Sequence, residues 1–402
     1  MSSATSALVE AAWEIGPQVV ADRRYLHQHP ELGYQEENTA RFVAERLREL
    51  GIETRTGVAK TGVVGLLQGT GNPLGGGKTV LLRADMDALP IDELNDVPYK
   101  SQTPGIMHAC GHDAHTAMLL GVAKLLSERR DQFAGTVKFV FQPSEEAAPG
   151  GAKPMIEAGV LENPQVDAAF GVHIGQDMPV GTIGVTTGPT NAASDGFVAT
   201  IRGLGGHAAR PHACIDPVVV AAACITALQT LVSREVNPLR QAVITIGSLH
   251  AGTVANIIPE EAVMRGTVRT FDEGVRQHLA ERIPALIGGI ASAMRAEADV
   301  QYRFGYPSLV NDAAMSELVR EVAREVVGPQ RVVEREPGMG GEDMSYFLQE
   351  VPGCFFRIGS RNPELGLTYG HHHPRFNIDD EQALPVGVAA IAGVALRFLS
   401  GE

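Results

Sequence analysis

The sequence predicts an α/β protein: a catalytic domain with a mixed sheet flanked by helices, carrying an inserted ferredoxin-like β-α-β-β-α-β domain. Three observations predict it. The chain of 402 residues has room for about two or three domains. Short apolar runs of strand type alternate with helical periodicity up to residue 188 and again after 307, the pattern of α/β domains. Between 189 and 306 the order becomes strand, helix, strand, strand, helix, strand, the ferredoxin-like succession. The expected boundaries are 1–188 and 307–402 for a discontinuous catalytic domain and 189–306 for the insert.

Residues 6–25 and 36–50 read as amphipathic helices, with His27 and His29 as turn and capping residues between them, before Pro30. Val63–Gln68 and Thr79–Arg83 read as strands. The stretch 71–79 ends Gly-Lys-Thr like a phosphate-binding loop. Asn72 stands where such a loop needs its first glycine, and a strand pattern follows, so it reads as a hairpin turn. A helix is expected over 116–126, a buried strand over 137–142, a helix over 152–157 and a buried strand over 168–173. In the insert the expected elements are strand 196–201, helix 217–232, strands 242–249 and 262–270, helix 275–298 and strand 300–305. Helix 313–327, strand 354–358 and a closing helix over 383–399 complete the chain.

A net charge of −14 argues against nucleic acid and anionic membrane surfaces, which need a basic patch. The apolar run 218–228 is too short to span a bilayer and reads as a buried helix. The four cysteines, at 110, 214, 224 and 354, show no paired spacing. No signal peptide is legible at the N-terminus, and a reducing cytoplasm is the expected location.

The chemistry centres on Met107–His115, where a thiol, three imidazoles and a carboxylate fall within nine residues. Cys110 and His112 sit two apart across a glycine, in a turn feeding a helix N-terminus, where the helix dipole favours a thiolate. Thiolate and imidazole are ligands for zinc, manganese, cobalt and nickel. Asp85 and Asp87 share one face at a strand end. They read either as a solvated terminus or as part of a site at the sheet's C-terminal edge. Glu145 and Glu146 directly follow a core strand, which suits one carboxylate that binds metal and another that moves a proton. A further buried strand ends in His173. Four strand ends or post-strand loops thus deliver reactive side chains to what reads as one site. Gly340 and Gly341, in a turn before Glu342, are placed to offer backbone N–H groups to a substrate carboxylate.

These residues carry a resemblance. The motifs His29-Pro-Glu-Leu-Gly33, Arg83-Ala-Asp-Met-Asp87, Met107-His-Ala-Cys-Gly-His-Asp113, Phe141-Gln-Pro-Ser-Glu-Glu146, Gly206-His-Ala-Ala-Arg-Pro211 and Gly340-Gly-Glu-Asp343 resemble those of the M20 metallopeptidase/amidohydrolase family. The likeness is to its N-acyl-amino-acid amidohydrolase branch, which includes hippurate hydrolases and auxin-conjugate hydrolases. It implies that Cys110, His112, Glu146, His173 and His372 hold two divalent ions (manganese, zinc, cobalt or nickel) and that Glu145 is the general base. His372 is the assignment for the last ligand because His372-His373-Pro374 fits a His-x-Pro pattern, though three histidines adjoin. His371 stands where the family often has leucine. The resemblance also implies a homodimer, or a tetramer, joined through the insert. His207 by itself reads as a surface-turn histidine; the resemblance places it near the substrate of the other subunit. Asn256 is a further candidate for stabilising the oxyanion, and Arg269 for binding the substrate carboxylate.

The expected reaction is metal-dependent hydrolysis of an N-acyl amino acid. Glu145 takes a proton from water and returns it to the leaving amine, and Asp87 orients a ligand. A dipeptidase or carboxypeptidase of the same family, a thiol amidase with Cys110 as nucleophile and His112 or His115 as base, and an inactive binding protein are the alternatives.

Overall fold

The computed structural model describes residues 3–71 and 77–401. The chain divides into two compact units. The first comprises residues up to Thr190, Val310–Glu336 and the chain from Asp343 on; the second comprises Asn191–Leu309 and Pro337–Glu342. Residues 337–342, expected in the catalytic domain, cluster with the insert in the structure, where the N–H of Ala192 donates to the carbonyl of Gly338 at 3.0 Å.

The first unit is built on an eight-stranded mixed sheet. Its order is Glu53–Val58, Gly62–Gln68, Thr136–Gln142, Thr79–Asp85, Ala168–Pro179, Gly353–Arg361, Ile183–Val185 and Val332–Glu334. The four strands from Thr136–Gln142 to Gly353–Arg361 run parallel to one another. Thr79–Asp85 and Thr136–Gln142 are buried throughout, which is why apolar residues fall on both of their faces instead of alternating with polar ones. The hairpin expected over 71–79 falls largely on residues 72–76, outside the described residues. Its flanking strands do not pair with each other: Thr136–Gln142 lies between them, antiparallel to one and parallel to the other. The helix His112–Ser127 supplies the crossover that a parallel pair requires.

Two helices form the floor of this unit. His112–Ser127 and the closing Asp380–Ser400 are almost wholly buried. They approach closely because glycine stands at the crossing. A Cβ on Gly387 would meet the Met118 sulfur at 2.1 Å, and one on Gly121 would meet Val388 at 2.9 Å. The single helix expected over 6–25 is two helices, Ser3–Glu14 and Gly16–Gln28. Pro17 in the first turn of the second explains the break, since proline lacks the N–H needed to continue an existing helix but suits the start of a new one.

The second unit is a four-stranded antiparallel sheet in the order Ala242–Ala251, Glu261–Thr270, Ala193–Arg202, Glu297–Arg303. Helices Pro217–Thr230 and Glu273–Ala293 close its core. This is the ferredoxin-like arrangement expected from the order of elements.

Candidate active site

Three features of local geometry build the site at the C-terminal ends of the parallel strands. The first is Gly111. Its φ of +91° is open to glycine and strained for other residues. It turns the chain between Cys110 and His112, so that His112 opens the helix. His112, His115 and Thr116 then share one helix face, directed at the end of Thr79–Asp85. His115 Nδ1 lies 2.6 Å from Asp85 Oδ1, and the Thr116 hydroxyl donates to the Asp85 carbonyl at 2.9 Å. Asp113 faces elsewhere, to Arg23 and His27 at 2.8 Å each.

The second is the peptide of Ile174. Its N–H donates to His115 Nε2 at 2.9 Å, so Nε2 is an acceptor and the His115 proton sits on Nδ1, facing Asp85. Its carbonyl accepts from His173 Nδ1 at 2.7 Å and His371 Nε2 at 3.0 Å. His173 is thereby left with Nε2 as its free lone pair, 3.5 Å from Cys110 Sγ. His112 is oriented in the same manner: Nδ1 donates to the Asp87 carbonyl at 2.9 Å, and buried Nε2 has no hydrogen-bond partner among the described residues.

The third is the loop after Thr136–Gln142. The Asp87 carboxylate accepts from the N–H of Glu145 at 2.9 Å and of Glu146 at 3.0 Å, which fixes the acidic pair. Buried Asp343 holds the far side of the loop. It accepts from the N–H groups of Gly151 and Ala152 at 3.0 Å each, from Gln142 at 2.8 Å and from Arg83 at 2.9 Å.

Together these place Cys110, His112 and His173 with their ligand atoms within 4.8 Å of one another; Cys110, Glu146 and His372 form a second such group, and His112, Glu145 and Glu146 a third. The first two groups share the Cys110 thiol. Of the three adjoining histidines, only His372 joins them, with Nε2 at 3.2 Å from Glu146 Oε1. Its φ of +62° and its N–H bond to the Ala109 carbonyl at 2.8 Å turn its half-exposed ring toward Glu146. His371 points to Ile174, and His373 stacks on Tyr369 with ring centroids 4.4 Å apart. Beyond its contact with His372, Glu146 Oε1 is buried with no further hydrogen-bond partner among the described residues, and His112 Nε2 likewise has none. Orphaned lone pairs on imidazole and carboxylate beside a thiol form a donor set that fits a first-row divalent cation. Asp85, His112 and His115 also converge within 4.8 Å, but both ring nitrogens of His115 are already committed.

Burial acts to raise the Asp85 carboxyl; Arg83, with His112 and His115, outweighs it and holds Asp85 well below the usual carboxylate range. Burial lowers His115, and burial followed by Arg357 lowers His173, so both rings are held neutral. Burial, with Glu146 beside it, pushes the Cys110 thiol well up, which disfavours a free nucleophilic thiolate. Both ring nitrogens of His115 are committed as well, and these two features weigh against the thiol-amidase alternative.

The remaining candidates lie in the second unit. His207 is exposed, in a short strand pair in which it faces Ile257, and the Ala208 N–H donates to the Asn256 carbonyl at 3.1 Å; the structure brings His207 and Asn256 together. Arg269 is half-buried, and one guanidinium nitrogen donates to the carbonyls of Asp195 and Val268. The Gly340 carbonyl accepts from Asn191, and Gly341 packs on Ser194, where a Cβ would stand 2.6 Å from its hydroxyl oxygen.

Sequence reasoning missed His27. It is a buried helix residue with Nε2 at 3.2 Å from Glu93, whereas His29 is the expected capping residue, its ring bonded to the Tyr25 carbonyl. The i, i+4 spacing of Arg23 and His27 on one helix was the available signal.

A model of peptidase family M20/M25/M40 matches residues 81–397. The chain is 44% identical to an N-acetyl-L-cysteine deacetylase of Bacillus subtilis, over 90% of this chain and 84% of that one. It is 42% identical to thermostable carboxypeptidase 2 of Saccharolobus solfataricus, over 96% of each. Among solved structures it resembles the Bacillus subtilis YXEP protein, described as a dinuclear metal-binding peptidase of the M20 family. The TM-score is 0.83 at 38% identity, covering 96% of this chain and 99% of that one. The chain belongs to peptidase family M20/M25/M40, and with it to the metal-dependent hydrolases of amide bonds.

Proposed function

We propose that the protein hydrolyses N-acyl amino acids to a carboxylic acid and a free amino acid. The observation that carries this reading is the convergence of Cys110, His112, Glu146, His173 and His372 in overlapping clusters, with Glu145 beside His112 and Glu146, in a chain similar to a deacetylase of an N-acetyl amino acid. Those five side chains would hold two divalent ions. When bound, such ions lower the pKa of a water and polarise the amide carbonyl. Glu145, held in place by Asp87, takes the proton from the attacking water and gives it to the leaving nitrogen.

The second unit supplies the rest of this reading. His207 and Asn256 face the developing oxyanion, His207 from the other subunit of a homodimer. Arg269 and the N–H groups of Gly340 and Gly341 receive the substrate carboxylate. Support for a dimer is the apolar face of this unit: Val218 and Val219 on one helix, and Val243 and Leu249 on the edge strand Ala242–Ala251, are exposed, and an unpaired edge strand is open to pairing with a second copy.

The likeness to a carboxypeptidase favours a second reading, in which the acyl group is itself an amino acid. One experiment separates the two. Metal content is measured, the protein is chelated, and manganese, zinc, cobalt or nickel is added back. Turnover is then followed on N-acetyl and N-benzoyl amino acids beside free dipeptides. Preference for the acyl compounds is expected; preference for dipeptides establishes the second reading, and full activity in metal-free protein overturns both.

A further inference from the structure

The turn at residues 31–36 has no part in the chemistry above, yet it grips the Glu145 loop at both ends. Gly33 lies so close beneath Ser144 that a Cβ would stand 2.7 Å from the Ser144 hydroxyl oxygen. Buried Glu36 accepts from the Ser144 N–H at 2.8 Å and from the Thr61 hydroxyl at 2.6 Å. The Tyr34 hydroxyl donates to the Gly150 carbonyl at 2.7 Å. The turn is in turn anchored: the Glu31 carboxylate accepts from the N–H groups of Asn38 and Thr39, at 3.0 and 2.9 Å, and its carbonyl accepts from the N–H of Ala88 at 2.8 Å, next to Asp87.

Ser144 has a φ of +51°, a region that non-glycine residues occupy only when their surroundings hold them there. Glu36 holds the N–H of Ser144, and Asp87 holds those of Glu145 and Glu146. Three successive N–H groups are therefore fixed by two carboxylates from distant parts of the chain. Released from Glu36, Ser144 would relax toward negative φ, and that rotation swings the side chain that follows it.

We propose that the turn Glu31–Glu36 is the positioning element for Glu145, with Glu36 as its positioning residue. The inference rests on the assignment of Glu145 as the proton-transfer group. A misplacement of about 1 Å at a reacting group costs on the order of 10²-fold in rate, so Glu36 acts on kcat without touching substrate. Burial pushes the Glu36 carboxyl up from its usual range. A neutral amide there keeps the acceptor for Ser144 and donates to the Thr61 oxygen.

The test is a double-mutant cycle. Glu36→Ala, Glu36→Gln, Tyr34→Phe, Glu145→Gln and the double variant Glu36→Ala/Glu145→Gln are purified and their metal content measured. Their kcat and KM are determined on an N-acyl amino acid that the wild type hydrolyses. Glu36→Ala is expected to lose roughly 10- to 100-fold in kcat with KM and metal content unchanged, and Glu36→Gln to recover most of the loss. In the Glu145→Gln background Glu36→Ala costs almost nothing further. Should Glu36→Ala not fold, Tyr34→Phe, which removes one hydroxyl, takes its place in the cycle. Additive losses in the double variant, equal losses in Glu36→Ala and Glu36→Gln, or a loss explained by departed metal overturn the inference while leaving the Glu145 assignment standing. A Glu145→Gln variant of full activity overturns both.

Discussion

His27 Nδ1 lies 2.8 Å from Asp113 Oδ2, one residue along the chain from His112. The imidazole is fully buried between Asp113 and Glu93, with Arg23 alongside. The network ties helix Gly16–Gln28 to the start of the helix that carries His112. Arg23 extends it to Asp380 at 3.2 Å, at the head of the closing helix.

Burial and Arg23 act to lower the pKa of His27; the hydrogen bonds and charges of Asp113 and Glu93 outweigh them and raise it above the ordinary 6.5. A histidine raised in the folded state contributes stability that is full below its unfolded pKa and is lost as pH rises through the folded value. The melting temperature of the wild type should therefore exceed that of His27→Gln most below pH 6.5, and the gap should narrow as pH rises. A gap that widens with pH contradicts the assignment.

Glu145→Gln should keep its metal and lose on the order of 10²–10⁴ in kcat, the usual contribution of general acid–base catalysis. Glu146→Gln should instead weaken metal binding, read by elemental analysis after dialysis. An empty site in Glu145→Gln and a full one in Glu146→Gln would reverse the two roles.

Asp87→Ala removes the acceptor for two successive N–H groups. The buried Glu145 N–H left unsatisfied costs about 1–3 kcal/mol and the part-buried Glu146 N–H adds less, so chemical denaturation should show a loss of at least that order. Activity should fall further than in Asp87→Asn, which retains one carbonyl oxygen. Equal stability of Asp87→Ala and wild type would mean that the loop does not depend on this carboxylate.

The histidine run separates by function. His372→Ala should lose metal affinity in chelator competition. His373→Ala, whose ring stacks on Tyr369, should not, and His371→Leu should alter affinity far less than His372→Ala. Comparable losses in His373→Ala and His372→Ala would overturn the choice of His372.

If His207 serves the partner's site, mixing inactive His207→Ala with inactive Glu145→Gln should restore some activity once subunits exchange. A heterodimer then has one site with both groups intact. Proven exchange without recovery assigns His207 to its own subunit or to no catalytic role.

Much of the fold and most of the cluster are legible in the chain because their signals are local. The helix over 313–327 and the four-stranded antiparallel unit follow from apolar periodicity. The gathering of Cys110, His112 and Glu146 is legible from reactive side chains in turns that follow strands of one sheet, whereas His173, expected at a strand end, lies inside the strand Ala168–Pro179. Glycine at 111 is readable too, since two candidate ligands one residue either side of it call for a tight turn.

What only the tertiary structure decided are relations between distant segments. Which of three histidines faces Glu146 depends on one backbone angle at His372 and on a bond to Ala109, and sequence spacing carries neither. The unavailability of His115 comes from the peptide of Ile174, on another strand. The attachment of Ser144 to Glu36 spans 108 residues, and that of His27 to Asp113 spans 86. A charge in an amphipathic helix looks the same in sequence whether it faces water or a partner. It is burial, by removing water as the competing hydrogen-bond partner, that turned Glu36 and His27 from helix-end residues into parts of the scaffold around the site.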